Sequence, residues 1–267
     1  MFENKVIIIT GSTQGIGLTT AEMLARRGAK IVVNSRSSDK VEAACKHLKK
    51  ISPYIVGIAG DVSNYQFCSE LRDFAISQFG QIDILINNAG VASGGALSKM
   101  KYTHFEKVVN INLLGSVYPT LACVNDIRKQ KGSILFLGSV AGIVGIPSYT
   151  AYCATKKAIV GLAESLKNEL SDDGVFVGVN YPGFTENDAT KTIINANGEE
   201  EILKKREGVQ VVSREKTCGR IIKQLEKRKF RVYSSFSAAF VQWGYRFLPR
   251  ITLKVLWWNR NKIAEMQ

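Results

Sequence analysis

Short apolar runs of strand length recur along the first two thirds of this chain and limit its folding choices more than any other feature. They are VIIIT at 6–10, KIVVNS at 30–35, YIVGIAG at 54–60, ILINNA at 84–89, SILFLGS at 133–139 and VFVGVNY at 175–181. Helix-like segments such as TTAEMLARRG and CSELRDFAISQFG separate them. Strands that are apolar almost throughout must be covered on both faces, and helices between them impose parallel crossovers. Six such units predict an α/β chain: a single Rossmann-like, doubly wound parallel sheet with helices on both faces. Ligands of such sheets bind at the carboxyl ends of the strands.

At 267 residues, 45% hydrophobic and 22% charged, the chain has the length and composition for one large core. KVIIIT starts at Lys5 with no cationic region before it, which argues against a signal peptide. Five cysteines are scattered without a CxxC pair, so reduced thiols, no metal and a cytoplasmic setting are expected. Cys153 reads as a small packing residue. The longest run without a charge, Gly132–Thr155, has 24 residues. Its four glycines and one proline make it a buried strand and loop rather than a membrane span.

TGSTQGIG, Thr10–Gly17, directly follows the first strand and opens a helix. Glycines at 11, 15 and 17 tighten the turn and let the backbone approach a pyrophosphate, which then sits at the helix N-terminus. The strand–turn–helix context turns a weak glycine pattern into a dinucleotide-binding prediction for Gly11, Ser12, Thr13, Gln14, Gly15, Ile16 and Gly17. The second strand ends in Asn34-Ser35-Arg36. An acidic residue there meets a free ribose 2′-hydroxyl, whereas a 2′-phosphate needs a cation. Arg36 can form a forked pair with a phosphate, so NADP(H) is the expected cofactor.

AYCATKKAI, Ala151–Ile159, places one tyrosine ahead of two lysines. On a helix, residues four apart share a face, so Lys156 stacks on Tyr152 and Lys157 points elsewhere. A cation beside a phenol favours the phenolate, and lowering a pKa from about 10 to near 7 requires roughly 4 kcal/mol.

In order along the chain stand TGxxxGxG at 10–17, Asp61-Val62, NNAG at 87–90, NLLG at 112–115, Ser139, Tyr152-x-x-x-Lys156 and Pro182-Gly183. With these motifs the chain resembles the short-chain dehydrogenase/reductase family from residue 5 to about 235. The resemblance implies an NAD(P)-dependent oxidoreductase acting on CH–OH groups, without a metal. Tyr152 would exchange a proton with the substrate oxygen. Lys156 would lower the tyrosine pKa and hold the nicotinamide ribose. Ser139 would hydrogen-bond the carbonyl, and Asn112 would hold a water linking the lysine to solvent. Asp61 and Val62 would meet the adenine, Asn88, Ala89 and Gly90 would line the cofactor cleft, and the segment from Pro182 and Gly183 would cover the nicotinamide. Where the family often places a threonine contacting the carboxamide, this chain has Asn187, and Thr185 is the substitute from another register.

Residues 1–235 are therefore expected to form the dinucleotide-binding and catalytic unit, with 184–213 as a polar substrate loop or lid. Residues 236–267 form a basic, aromatic tail. The net charge of +13 is uneven: residues 1–203 carry 20 Lys+Arg against 19 Asp+Glu, and residues 204–267 carry 16 against 4. The tail's longest uncharged run, Val232–Tyr245, is 14 residues, too short for the roughly 20 of a spanning helix. From Pro249 a helix is expected, with Arg250 and Lys254 on one stripe and Ile251, Val255 and Trp258 on another. Interleaved aromatics and cations suit the cytosolic face of a membrane. The order of segments from the Pro-Gly to the tail is similar to that of 3-ketodihydrosphingosine reductases. The expected substrate is accordingly a long-chain or lipid-like ketone. The alternatives are a carrier-bound 3-oxoacyl group or other small carbonyl, and a non-catalytic nucleotide-binding scaffold. No nucleic-acid-reading motif is present, and a homo-oligomer stays open.

Overall fold

The computed structural model describes residues 1–186, 188, 192–195, 197–202 and 211–265. Its strands are β1 (Val6–Ile9), β2 (Lys30–Ser35), β3 (Ile55–Ala59), β4 (Ile84–Asn87) and β5 (Ala92–Ser93). They continue with β6 (Ser133–Leu137), β7 (Phe176–Tyr181), β8 (Thr192–Ile194), β9 (Glu200–Ile202) and β10 (Arg231–Tyr233). The helices are α1 (Gly15–Ala25), α2 (Ser38–Leu48), α3 (Tyr65–Phe79), α4 (Tyr102–Val109) and α5 (Gly115–Lys129). Then come α6 (Thr150–Glu169), α7 (Arg214–Lys227), α8 (Phe236–Phe247), α9 (Pro249–Trp258) and α10 (Arg260–Glu265).

Seven strands form one parallel sheet in the order β10-β7-β6-β4-β1-β2-β3. The side-chain alternation of a strand divides its contacts between two cores. Val6 and Ile8 of β1 pack with Leu71 of α3, Cys123 and Ile127 of α5 and Ile159 and Ala163 of α6. Ile7 and Ile9 pack on the other face with Ala21 and Leu24 of α1, Leu48 of α2 and Ile221 and Leu225 of α7. Strands are added outward from β1 to β2 and β3, then on its other side from β4, and this switch in strand order opens a crevice at the carboxyl ends of β1 and β4.

Gly132–Thr155, the uncharged run, is β6, a 3₁₀ turn at Val140–Gly142 and the start of α6. Tyr102–Lys129 is helical throughout and has the length and hydropathy to cross a membrane. It lies instead against α3, α6 and β4 as a covering layer of the sheet.

The segment read from sequence as a polar loop contains regular structure. β8 pairs in parallel with β5 and antiparallel with β9, giving a separate three-stranded sheet. Asn187 lies outside the described residues. The tail is helical, and Pro249 occupies the first turn of α9 as expected. α8 packs on the main core through Ala238, Val241 and Tyr245. α9 folds back on α8, where a Cβ at Gly244 would lie 3.2 Å from Thr252 Oγ1.

Candidate active site

The glycine loop leaves β1 at the crevice. Gly11 has φ +61°, and a Cβ there would lie 2.9 Å from Ala89 Cα, so both conformation and contact demand glycine. A Cβ at Gly17 would meet Asn88 Nδ2 at 2.5 Å and the Gly11 carbonyl at 2.6 Å. The loop is tied to the end of β4 by Thr10, whose hydroxyl accepts the N–H groups of Asn88 and Ala89, both at 3.0 Å. Asn88 returns its amide to the carbonyls of Thr10 and Gly11 at 2.9 Å. Thr10 opens the glycine motif, but the glycine spacing gives it no role, and its tie to the end of β4 is visible only in the structure.

α1 starts at Gly15 with no side-chain cap from Gln14. Its first-turn amides are thus available to an anion, and the helix dipole favours one there. The backbone around Thr13, Gln14, Gly15 and Ile16 forms this rim. Asp188 Oδ2 lies 3.5 Å from the Cβ position of Gly15, while Asp188 Oδ1 accepts from Arg214 at 2.5 Å.

Ser12 is placed differently from its expected role. It is fully buried, its hydroxyl donates to the Ile9 carbonyl at 2.6 Å and accepts the Asn34 N–H at 3.1 Å, and its own N–H reaches the Asn34 carbonyl. It braces the loop against β2 and presents neither group to the crevice.

Arg36 is exposed just beyond β2 and lines a cavity of about 270 Å³ with Asp61, Ser63, Lys107, Asn110 and others. Asp61 Oδ1 accepts the N–H and hydroxyl of Ser63 at 2.8 and 2.7 Å, which fixes the turn after β3. Val62 is buried behind it.

Tyr152 and Lys156 lie one turn apart on α6. The Lys156 ammonium lies 5.7 Å from the Tyr152 ring centroid and donates to the Leu137 carbonyl at 2.7 Å. At 5% exposure it is a buried cation that β6 holds in place. Lys157 leaves the helix toward the tail, 5.5 Å from the ring of Tyr245. Gly142 lets the 3₁₀ turn press on α6, since a Cβ there would lie 2.7 Å from the Lys156 carbonyl.

Ser139 caps that 3₁₀ turn, its Oγ accepting the Ala141 N–H at 3.2 Å. Asn112 is fully buried in a π-helical turn, Asn110–Leu114, between α4 and α5. Its side chain accepts from Val91 N–H at 2.8 Å and donates to the Val91 carbonyl at 3.1 Å and to Thr155 Oγ1 at 3.3 Å. The Asn112 carbonyl accepts the Ser116 hydroxyl at 3.0 Å. Both side-chain amide protons of Asn112 are thus committed to protein acceptors, which fixes its orientation. Thr155, whose hydroxyl donates a hydrogen bond to the Tyr152 carbonyl at 2.9 Å, is the linking residue that the motif pattern did not reveal. Gly90 fits between the parts: a Cβ there would lie 3.1 Å from Asn112 Oδ1 and 3.7 Å from Lys156 Nζ.

Pro182 and Gly183 follow β7 at the same edge. A Cβ at Gly183 would lie 2.2 Å from the hydroxyl of Ser235, the cap of α8. Thr185 does not present its hydroxyl to the crevice as expected. It is buried, donates to the Gly183 carbonyl at 3.2 Å and shares a hydrogen bond with Thr217 of α7 at 3.2 Å. Cys153 is buried, accepts the Ile146 N–H at 3.3 Å and has its pKa raised by that burial, consistent with packing. Tyr181 stacks on Tyr233 at 4.9 Å, and burial pushes its pKa up to about 12. Among the described residues no cluster of His, Cys, Asp or Glu has the make-up of a metal site.

Residues 5–198 match the family model described as short chain dehydrogenase. A 3-dehydrosphinganine reductase of Danio rerio is 33% identical over 199 residues, 70% of this chain and 60% of that protein. A 3-oxoacyl-(acyl-carrier-protein) reductase of Staphylococcus epidermidis is also 33% identical, over 193 residues, 71% of this chain and 79% of that protein. The match thus spans less than two thirds of the fish protein's length. A short-chain dehydrogenase/reductase from Burkholderia phymatum, solved in complex with NAD, superposes with a TM-score of 0.82. It covers 95% of this chain and 96% of its own, at 23% identity.

Proposed function

The chain belongs to the short-chain dehydrogenase family and is an NAD(P)-dependent oxidoreductase, and from that premise we propose that it uses NADPH to reduce a ketone on a long-chain, lipid-like substrate of the 3-ketosphinganine type. The glycine cradle and the uncapped start of α1 have the shape and polarity that a dinucleotide pyrophosphate requires. When bound, the nicotinamide cofactor supplies the hydride. Gly11, Thr13, Gln14, Gly15, Ile16 and Gly17 would hold the pyrophosphate, and Asp61 and Val62 the adenine end. Asn88, Ala89 and Gly90 would form the floor, Lys156 would hold the nicotinamide ribose, and Pro182 and Gly183 the cover. Arg36 would pair with the 2′-phosphate. It is the cation at the end of β2, where a selective NAD site would carry a carboxylate.

Tyr152 delivers a proton to the substrate oxygen as the carbonyl carbon is reduced. Ser139 Oγ already accepts from Ala141, so its own proton is free to donate to that oxygen. The buried Lys156 ammonium adds positive charge beside the phenol as negative charge develops. Losing one such preorganised donor typically costs about 2.7–4 kcal/mol of transition-state stabilisation. A positioned acid contributes roughly 10²–10⁴-fold. Asn112 acts by position, holding Val91 and Thr155 against the base of this group.

The observation that carries the apolar substrate is the root of the tail. The aromatic helix α8 begins against Gly183, so if that segment covers the nicotinamide, the apolar side chains of α8 would stand near the entrance. A second possibility, a carrier-bound 3-oxoacyl substrate, is favoured by the bacterial relative, which matches with equal identity and over more of its own length. The deciding experiment is a cofactor-oxidation screen of the purified protein with NADPH and NADH. It compares 3-ketosphinganine, 3-oxoacyl thioesters and steroid ketones. Fastest turnover of the long-chain ketone with NADPH supports the proposal. Fastest turnover of the thioesters transfers the assignment to the second substrate.

A further inference from the structure

α8 buries only one side. Its outer side carries Phe236, Phe240, Trp243 and Phe247, at intervals of four, three and four, which align on a helix as one stripe. These rings are 81%, 62%, 54% and 61% exposed. α9 folds back beside it with no buried residue and adds Ile251, Val255 and Trp258 in the same spacing. So many exposed aromatic and aliphatic side chains on two adjoining helices are unusual on a protein surrounded by water and mark a docking surface.

The charges around the stripe specify what docks. From Phe236 to Ala264 the sequence has five cations and no acidic residue. Three of the cations sit on the aromatic rings: Arg246 over Phe247 at 5.8 Å, Lys254 over Trp258 at 5.1 Å and Arg260 over Trp257 at 4.6 Å. A second copy of the same face would oppose cation to cation, with no carboxylate to relieve the repulsion. An anionic lipid surface meets both halves of the pattern. Aromatic side chains settle at the headgroup boundary while guanidinium and ammonium groups pair with lipid phosphates and carboxylates.

We propose that the outer face of the α8–α9 hairpin docks this protein on an anionic lipid bilayer, lying in the interface rather than spanning it. Neither helix, at 12 and 10 residues, has the length of a span. Because α8 is rooted at Gly183, docking would hold the Tyr152 crevice close to the bilayer surface. The docking surface stands whatever the substrate proves to be.

The test is co-sedimentation of the full chain with vesicles of phosphatidylcholine alone and of phosphatidylcholine mixed with phosphatidylserine, at low and high salt. Two variants accompany it, Phe240→Ser/Trp243→Ser/Phe247→Ser and Arg250→Glu/Lys254→Glu, with circular dichroism and thermal melting as checks of folding. The second pair lies on an exposed helix and retains the fold. Wild type should pellet with the mixed vesicles at low salt, bind neutral vesicles more weakly and release in high salt. Charge reversal should weaken binding roughly tenfold or more. The proposal is overturned if wild type stays in the supernatant with mixed vesicles at low salt, or if the charge-reversed chain binds as well as wild type. It is equally overturned if the chain is a dimer that the serine variant dissolves and vesicles capture neither form.

Discussion

Lys157 sets its ammonium 5.5 Å from the ring centroid of Tyr245 and so joins α6 to the first tail helix, while its neighbour Lys156 turns inward beneath Tyr152. The two adjacent lysines therefore make opposite predictions. Lys156→Met should lower kcat/KM by at least about a hundredfold and weaken cofactor binding, since it leaves the Leu137 carbonyl and the phenol without their cation. Lys157→Met removes an exposed cation–π contact of roughly 0.5–1 kcal/mol and should leave kcat/KM within about threefold. Steady-state kinetics with NADPH decide it, and a severe loss at Lys157 contradicts the helix register.

Cofactor choice rests on Arg36. Arg36→Asp should reduce kcat/KM for NADPH by roughly two orders of magnitude, leave that for NADH near or above wild type and so reverse the preference. A wild-type enzyme that already favours NADH contradicts the assignment of Arg36 to a phosphate.

Two glycines separate architecture from helix propensity. Gly161 lies on the exposed side of α6 with open space where a Cβ would go. Gly161→Ala should stabilise the protein by about 0.5–1 kcal/mol, seen as a higher Tm with activity kept. Gly17→Ala drives a methyl group into Asn88 and the Gly11 carbonyl and should lower the Tm and abolish NADPH binding in titration calorimetry. Equal behaviour of the two variants would mean that the loop does not pack as described.

The strands of the main sheet were readable because both of their faces are buried, which leaves runs such as VIII and KIVV almost free of polar residues. The Tyr152–Lys156 pair was readable because α6 keeps a regular register through it. β8 and β9 were not. Their residues TII and EEI are three long, lack periodicity and depend on pairing with Ala92–Ser93, a hundred positions away in the chain. Ser12 lies within the glycine motif and Thr185 stands in from another register for the family's threonine, yet their hydroxyls turn to the Ile9 and Gly183 carbonyls. A motif fixes the residue type, whereas the direction of a short polar side chain is set by neighbours distant in sequence. The α8 stripe was missed because Ser237, Ala238, Ala239 and Gly244 dilute the aromatics that the helix brings into line.

Stability should depend on Asp126. This side chain is 8% exposed and accepts from Arg72 Nε at 2.7 Å and Lys129 Nζ at 3.1 Å. The Arg72 hydrogen bond, aided by Lys129, outweighs the effect of burial and holds the Asp126 pKa below its ordinary value. A depressed carboxylate pKa contributes stability above the unfolded value of about 4, and this is lost as pH falls through the folded value. Asp126→Asn should thus cost roughly 1.5–3 kcal/mol at pH 7, with the gap to wild type narrowing below about pH 4. Denaturant titrations at both pH values measure it. A gap that stays constant with pH would exclude the ionised carboxylate as its source.

In the proposed reaction Tyr152 supplies the proton to the substrate oxygen. The most direct test of this claim combines NADPH binding by fluorescence titration with single-turnover reduction of whichever ketone the screen selects, for wild type and Tyr152→Phe. Only the phenolic hydroxyl is removed, so the Kd for NADPH should stay within about threefold while the hydride-transfer rate falls by roughly 10²–10⁴. A rate within about tenfold of wild type, with cofactor binding intact, would contradict the claim and remove Tyr152 from the role of acid.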